Sequence, residues 1–292
     1  MRRLFGLSVV MGCLYVAPAA ALYLLFVVVP TAGSIHLSLH NWDGLQPHPE
    51  FVGLGNYIGL ATDQLFWASV ARSLIWTVAT TILPVAIGLV LAAVLAEDIW
   101  GRTFLRVVFY MPVVISAVAV GVVWSWMYNP VFGVVNEVLR GLNQPPIGFL
   151  GEAGWAFPAL VVADTWSYFG FPMVIFLAAI QSIDHDLYDA AVVDGASKFA
   201  QFAYITVPML RGATTLAVTV AVIRALKVFA LIWAMTEGGP FRSTETIPIQ
   251  MYARAFLESR VGYGSAMAVV FTLIIFGLSV SFWYLRERAA ET

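Results

Sequence analysis

Charge is what this chain has least of. Of its 292 residues only 11% are Asp, Glu, Lys or Arg, against 61% hydrophobic, and the mean hydropathy is +0.86. The surface of a soluble protein needs about a quarter of its residues charged, so a water-soluble fold is excluded. A basic excess is missing too. Fifteen Lys and Arg against seventeen Asp and Glu give a formal charge of −2, too little positive charge to neutralise a phosphate backbone, which argues against nucleic acid as a partner. A single cysteine, Cys13, permits neither an internal disulfide nor a multi-thiolate metal site. There is no Walker-type glycine loop, so any ATP that drives this protein is bound by another chain. Fixed-period repeats, low-complexity tracts and a soluble segment large enough to fold alone are likewise missing, which suggests one membrane domain.

What the chain does have is long stretches free of charge, and about 20 apolar residues suffice to cross a hydrocarbon core of about 30 Å. Leu4 to Trp42, Ser73 to Ala96, Val107 to Asn136 and Val261 to Leu285 each qualify. Trp155 to Ile180, broken by Asp164, and Val207 to Trp233, interrupted by Arg224 and Lys227, bring the expected count to six. Met1-Arg2-Arg3, an apolar stretch and Ala17-Pro18-Ala19 imitate a cleavable signal, but the apolar run continues past them, and an uncleaved first helix is expected. With the N-terminus inside, Arg2, Arg3, Arg102, Arg106, Lys198, Arg211, Arg286 and Arg288 are cytoplasmic, and Arg72, Arg140, Arg242, Arg254 and Arg260 are external. That bias puts both termini on the cytoplasmic side. The outer loops, about 35–66, 128–154 and 234–262, hold most of the Pro, Asn and Gly outside the spans.

Between the fourth and fifth spans, residues 184–208 read as structure rather than loop. Leu187, Ala190, Ala191 and Asp194 recur at three- and four-residue steps, with acids near the helix start where the macrodipole favours them. Gly195 permits a turn, Lys198 to Tyr204 can form a second short helix, and Pro208 suits the first turn of a third. Asp189-Ala190-Ala191, three residues, Gly195, nine residues, Ile205, one residue and Val207-Pro208 together resemble the EAA loop of ABC-importer permeases. Asp189 stands where that family usually has Glu, and Val207 where it usually has Leu. Phe51-Val52-Gly53-Leu54-Gly55-Asn56-Tyr57, Phe109-Tyr110-Met111-Pro112 with Trp124-Ser125-Trp126, and Thr236-Glu237-Gly238-Gly239-Pro240 with Ser243-Thr244 are similar to segments of the carbohydrate-type, maltose-importer branch. Glu237, where Gly is usual, and Ala230, where Asp is common, depart from it.

The resemblance implies an all-α integral membrane protein of the type I importer permease fold, a multi-pass subunit of the cell's inner membrane. It implies residues 1–68 as first helix and outer loop, 69–285 as permease core with a coupling loop at 184–208, and 286–292 as cytoplasmic tail. It makes Asp189, Ala190, Ala191, Gly195 and Pro208 the residues that couple to an ATPase. It also implies a second permease subunit, two cytoplasmic ATPase domains that bind ATP and Mg, an extracytoplasmic solute-binding protein, no cofactor in this chain, and a sugar, polyol or glycoside as solute.

Charges at membrane depth cost at least about 2.5 kcal/mol each, so Asp164, Arg224 and Lys227 need partners or water. Counting from the span ends at 1.5 Å per residue, Asp164 lies about 13 Å from the outer face and Arg224 about 9 Å, nearly level. Lys227, three residues on, shares a face with Arg224. Two readings stay open: a structural ion pair, or a polar wall on which Asp164, Arg224 and Tyr168 hydrogen-bond a solute. Trp124, Trp126, Tyr128, Trp166 and Trp233 fall near the outer boundary and are expected mostly as an interfacial belt. Pro18, Pro84, Pro112 and Pro172 are expected to kink their helices. His36 and His40 share a helix face without a third ligand, and Ser265 lacks the frame of a nucleophile elbow. The rival function is a self-sufficient channel or ion-coupled transporter with Asp164 as its ion or proton site.

Overall fold

The computed structural model describes the backbone of residues 2–291 and the side chains of residues 11–280 apart from Cys13 and Leu278. The side chains of Arg2, Arg3, Arg286 and Arg288, used above to orient the chain, and that of Cys13 lie outside the described residues. In chain order the elements are α1 (Arg2–Tyr23), a wide π-helical turn (Leu24–Val28), α2 (Val29–Leu37), β1 (His40–Asn41), β2 (Glu50–Phe51), α3 (Gly55–Thr62) and α4 (Gln64–Ala96). They continue with α5 (Arg102–Val114), α6 (Ala117–Met127), α7 (Val134–Gly141), α8 (Ala153–Tyr168), α9 (Gly170–Ile180), α10 (His185–Val193), α11 (Lys198–Gln201), a second π turn (Phe202–Thr206) and α12 (Val207–Met209). The last are α13 (Arg211–Leu226), α14 (Ala230–Thr236), α15 (Ile247–Tyr252), a third π turn (Ala253–Leu257) and α16 (Val261–Glu291). The one strand pair among the described residues, β1 with β2, is antiparallel, His40 opposite Phe51.

Met1–Trp67 together with Gln250–Thr292 make one compact unit, and Ala68–Ile249 another. In the first, α16 packs on α2 and α3. Gly262 passes so close to His40 that a Cβ there would lie 1.9 Å from the His40 carbonyl oxygen. Asn56 donates to the carbonyls of Ser38 and His40, at 2.8 and 3.0 Å, and so pins the entry to α3.

In the second unit two clusters of buried side chains hold the helices. Trp76, Val120, Trp124, Leu160, Leu231 and Ile232 belong to one, and Leu95, Met173, Phe176, Leu210 and Ala221 to the other. Among the described residues, two helical stretches are long and apolar enough to cross a membrane unaided, Leu14–Leu37 and Gln64–Ala96. Three more candidates are bent pairs: Arg102–Val114 with Ala117–Met127 at 101°, Ala153–Tyr168 with Gly170–Ile180 at 42°, and Lys198–Met209 with Arg211–Leu226 at 68°.

Each bend has a local cause. After Pro112, Ile115 is extended, and the Ser116 side chain then accepts from the Ala119 N–H at 3.3 Å, starting a new helix. Pro172 has no N–H for the Tyr168 carbonyl, and Gly170 lets α9 pass the α5 backbone, where a Cβ would meet the Phe109 oxygen at 2.4 Å. Pro208 removes a donor in the same way ahead of the break at Leu210, whose ψ is 7°. Pro84, by contrast, sits inside an α4 that runs unbroken through it.

Candidate functional site

Asp164 on α8 and Arg224 on α13, sixty residues apart in sequence, meet as a two-point ion pair. Arg224 Nη1 donates to Asp164 Oδ1 at 2.8 Å and Nη2 to Oδ2 at 2.5 Å. The carboxylate is sealed, its side chain 3% exposed, while the guanidinium side chain keeps 30% of its surface open. Tyr168, one turn beyond Asp164, lays its ring 3.9 Å from the guanidinium carbon, a cation–π contact that fixes the third side of the fork. Around this group the Thr165 Oγ1, the Tyr168 hydroxyl and the Arg224 Nε are buried without a hydrogen-bond partner among the described residues. The expected proximity of Asp164, Tyr168 and Arg224 is therefore present.

Lys227 stands three residues beyond Arg224, at the C-cap of α13. The helix ends at Leu226, Lys227 caps it with φ −96° and ψ 8°, and the side chain is exposed with no ion pair among the described residues. The expected span 207–233, fifth in chain order, is thus interrupted at 227–229, and α14 resumes at Ala230. A left-handed Glu237, φ +51°, ends α14.

The aromatic belt also needs correcting. Trp124 and Tyr128 are buried, 8% and 5% exposed, with rings 5.1 Å apart, and the Tyr128 hydroxyl donates to the Ala159 carbonyl at 3.1 Å. They are core residues; Trp126, 67% exposed, is the one that faces outward. Sequence reading missed two further polar anchors. Asn136 on α7 is buried, takes the Ile147 N–H at 2.8 Å and donates to the Ile147 carbonyl at 3.1 Å, closing the 128–147 segment. A hydroxyl stripe on α4, Ser69, Ser73, Thr77 and Thr80, is buried, and the Ser73 Oγ accepts the Ile247 N–H at 2.9 Å. The three- and four-residue spacing of those small hydroxyls was the available signal.

The 184–208 segment folds as helix, turn, helix. The Asp184 side chain accepts from the Asp186 N–H at 3.1 Å and starts α10, none of whose residues is buried. At its end the Ala196 N–H reaches back to the Ala191 carbonyl at 2.8 Å and the Gly195 N–H to Val192 at 3.0 Å. This is a Schellman turn, with Gly195 left-handed at φ +78°. Ser197 then caps α11 by accepting the Ala200 N–H. Tyr188 OH bonds Thr206 Oγ1 at 2.9 Å and Lys198 pairs with Glu97 at 2.9 Å, bracing the hairpin. Asp189, Ala190, Gly195 and Pro208 are exposed and Ala191 is half-buried. Large apolar side chains stand out beside them: Val193 at 86%, Phe199 at 79% and Tyr204 at 82%.

In the other unit, Asp63 accepts from the Tyr263 hydroxyl at 2.7 Å and lies 3.8 Å from Arg254, which also pairs with Glu258. Burial pushes the Asp63 carboxyl up, but the Tyr263 hydroxyl, the Phe66 and Leu65 N–H groups and the Arg254 charge together hold it below the ordinary value. His36 and His40 rings are 4.4 Å apart, and among the described residues no third His, Cys, Asp or Glu joins them.

A solved bacterial ABC transporter that imports the acidic polysaccharide alginate superposes with a TM-score of 0.84 at 22% identity, covering 98% of this chain and 99% of that one. Residues 85–286 match the family described as binding-protein-dependent transport system inner membrane component. The chain belongs to that family. It is 33% identical to the trehalose/maltose transport system permease protein MalF of Thermococcus litoralis, over 94% of this chain and 92% of that one. The lactose transport system permease protein LacF of Rhizobium radiobacter is also 33% identical, over 95% and 94%. The protein is therefore an ABC transporter permease, an inner-membrane subunit and not itself catalytic. A self-sufficient ion-coupled carrier is not favoured by this membership.

Proposed function

We propose that this chain is one of two different permease subunits through which a sugar or related polyol or glycoside enters the cell by alternating access, driven by ATP bound with Mg on two separate cytoplasmic ATPase domains. The observation that carries this is α10: a helix with no buried residue, closed by a rigid Schellman turn and braced by Tyr188 and Lys198. An exposed helix costs little to leave in water only if polar, yet this one ends in Val192 and Val193, 60% and 86% exposed, and such a surface suits a protein groove. Asp189, Ala190, Ala191, Gly195 and Pro208 are the coupling residues. The small side chains at 190 and 191 admit close approach, and Gly195 sets the bend. The reading takes residues 69–285 as the permease core and 286–292 as a cytoplasmic tail.

Solute delivery by an external binding protein is supported by the related alginate transporter, solved with a periplasmic protein that carries an alginate pentasaccharide. The carbohydrate class is supported by the trehalose/maltose and lactose transport systems to which the two relatives belong. Within the path, Asp164, Tyr168, Arg224 and Thr165 form the polar wall, with Lys227 at its outer edge. ATP acts by shifting the population between inward- and outward-open states, because only differential binding to two states moves an equilibrium.

The test is co-purification and transport. The complex should bring an ATPase subunit with it and take up solute into proteoliposomes only with ATP. Ala190→Trp should release the ATPase and cut uptake by about tenfold or more while leaving this chain in the membrane. Uptake that follows an ion gradient without ATP overturns the proposal.

A further inference from the structure

We infer that Asp164 is a charge filter: by neutralising Arg224 it makes the path accept uncharged saccharides and refuse their anionic counterparts. The inference rests on the polar wall proposed above and adds to it the sign of charge that the wall tolerates.

The pair is asymmetric. Both carboxylate oxygens of Asp164 are engaged by the two terminal nitrogens of Arg224, and no other acid is paired with that guanidinium among the described residues. The acid is sealed at 3% exposure while the base remains 30% open. The partly open member of the pair is therefore the arginine, with its charge already matched by the acid. A guanidinium has five N–H groups; Asp164 takes two and the Nε one is buried, so the second hydrogens of Nη1 and Nη2 are the two left to meet sugar hydroxyls.

A uronate or sugar phosphate at the same place meets a cation whose fork is filled. Its own desolvation would then go uncompensated, and it would lie close to the Asp164 carboxylate. Removing the Asp164 charge reverses this. The guanidinium stays where Tyr168 holds it, 3.9 Å from the ring, and offers a free bidentate fork, the geometry that carboxylate and phosphate groups prefer. Lys227 does not enter this balance. It lies beyond the end of α13, exposed, and its long stem leaves the ammonium in water.

The experiment measures binding to the purified permease–ATPase complex by intrinsic tryptophan fluorescence and calorimetry, with no binding protein present to filter the solute first. The probes are maltose and lactose, each against the disaccharide in which a C6 carboxylate replaces the CH2OH of the non-reducing sugar. Wild type should prefer a neutral sugar by at least about tenfold. Asp164→Asn should erase or invert that preference by gaining affinity for the carboxylate form. Asp164→Asn with Arg224→Gln should lose the gain, Asp164→Asn with Lys227→Gln should keep it, and Asp164→Glu, which keeps the charge, should retain the sign of the wild-type preference even where its affinities fall.

Equal binding of both forms by wild type overturns the inference, as does a gain that survives Arg224→Gln or vanishes with Lys227→Gln. Should Asp164→Asn fail to assemble, the wild-type and Asp164→Glu preferences still decide it. If the variants weaken neutral sugars without moving the charge preference, the wall stands and the filter falls. If no probe binds wild type, or no variant changes any affinity, the wall itself is wrong and the filter falls with it.

Discussion

At Gly195 the backbone occupies φ +78°, and a Cβ added there would meet nothing within 4 Å. The cost of a side chain is therefore torsional, about 1–2 kcal/mol, and largest for β-branched residues. Gly195→Val should loosen the Schellman turn and lower the solute moved per ATP hydrolysed, whereas Gly195→Asn, which tolerates the left-handed region, should stay close to wild type; paired uptake and ATPase assays read the difference. Asp164→Ala acts differently, because it strands a cation. Such a loss costs about 3–5 kcal/mol for a fully buried pair, and the 30% exposure of Arg224 places it at the low end. Thermal unfolding of the purified complex should show the drop, with recovery in Asp164→Leu combined with Arg224→Met. Asp164 and Arg224 were legible in the sequence because a charge in an apolar run has few places to go. Trp124 and Tyr128 were not: an aromatic at a span end packs inward or outward with the same one-dimensional pattern, and only the neighbours, Trp166 and Phe149, decide it.

Between elements, closeness is set by glycine. A Cβ on Gly88 of α4 would sit 2.7 Å from the Met173 nitrogen and 3.0 Å from the Phe169 oxygen, both backbone atoms that cannot swing away. Gly88→Val should force α4 and α9 apart at a cost of about 1–3 kcal/mol or more, seen as reduced abundance of the subunit in membranes. The Asp63 network supplies a pH-dependent tie of α16 to the link before α4. Its carboxyl is held below the unfolded value of about 3.9, so its contribution is complete above that value and is lost as pH falls through the lower folded one. Melting temperature should therefore drop between pH 5 and pH 2 more steeply in wild type than in Asp63→Asn, about as marked as one lost carboxylate allows. Helix breaks were the least legible feature at this scale. The run 107–136 carries no charge, so length arithmetic reads one span, while Pro112 and the capping Ser116 split it with a 101° turn. The 184–208 hairpin was legible because its acids, its Gly and its Pro each mark a boundary that local chemistry imposes.

For the molecule as a whole, that 101° turn decides how many times the chain crosses. If α5 and α6 together are one broken span, α7 lies across the membrane from Trp100; if they enter and return, α7 lies on the same side as Trp100, and every later element changes side with it. Exposed positions bracket each step: Leu45 at 85%, Trp100 at 99%, Val131 at 74%, Val193 at 86% and Phe241 at 94%. Because Cys13 is the one native thiol, its replacement by Ala gives a clean background for single cysteines. With both termini inside and six crossings, membrane-impermeant maleimide added to intact cells should label Leu45→Cys, Val131→Cys and Phe241→Cys, and should reach Trp100→Cys and Val193→Cys only in inverted vesicles. A re-entrant α5–α6 pair would instead shield Val131→Cys in intact cells and expose Val193→Cys to the outside. In that geometry α10 would face away from any cytoplasmic ATPase, so the labelling of Val193→Cys tests the crossing count and the coupling role of α10 in one measurement.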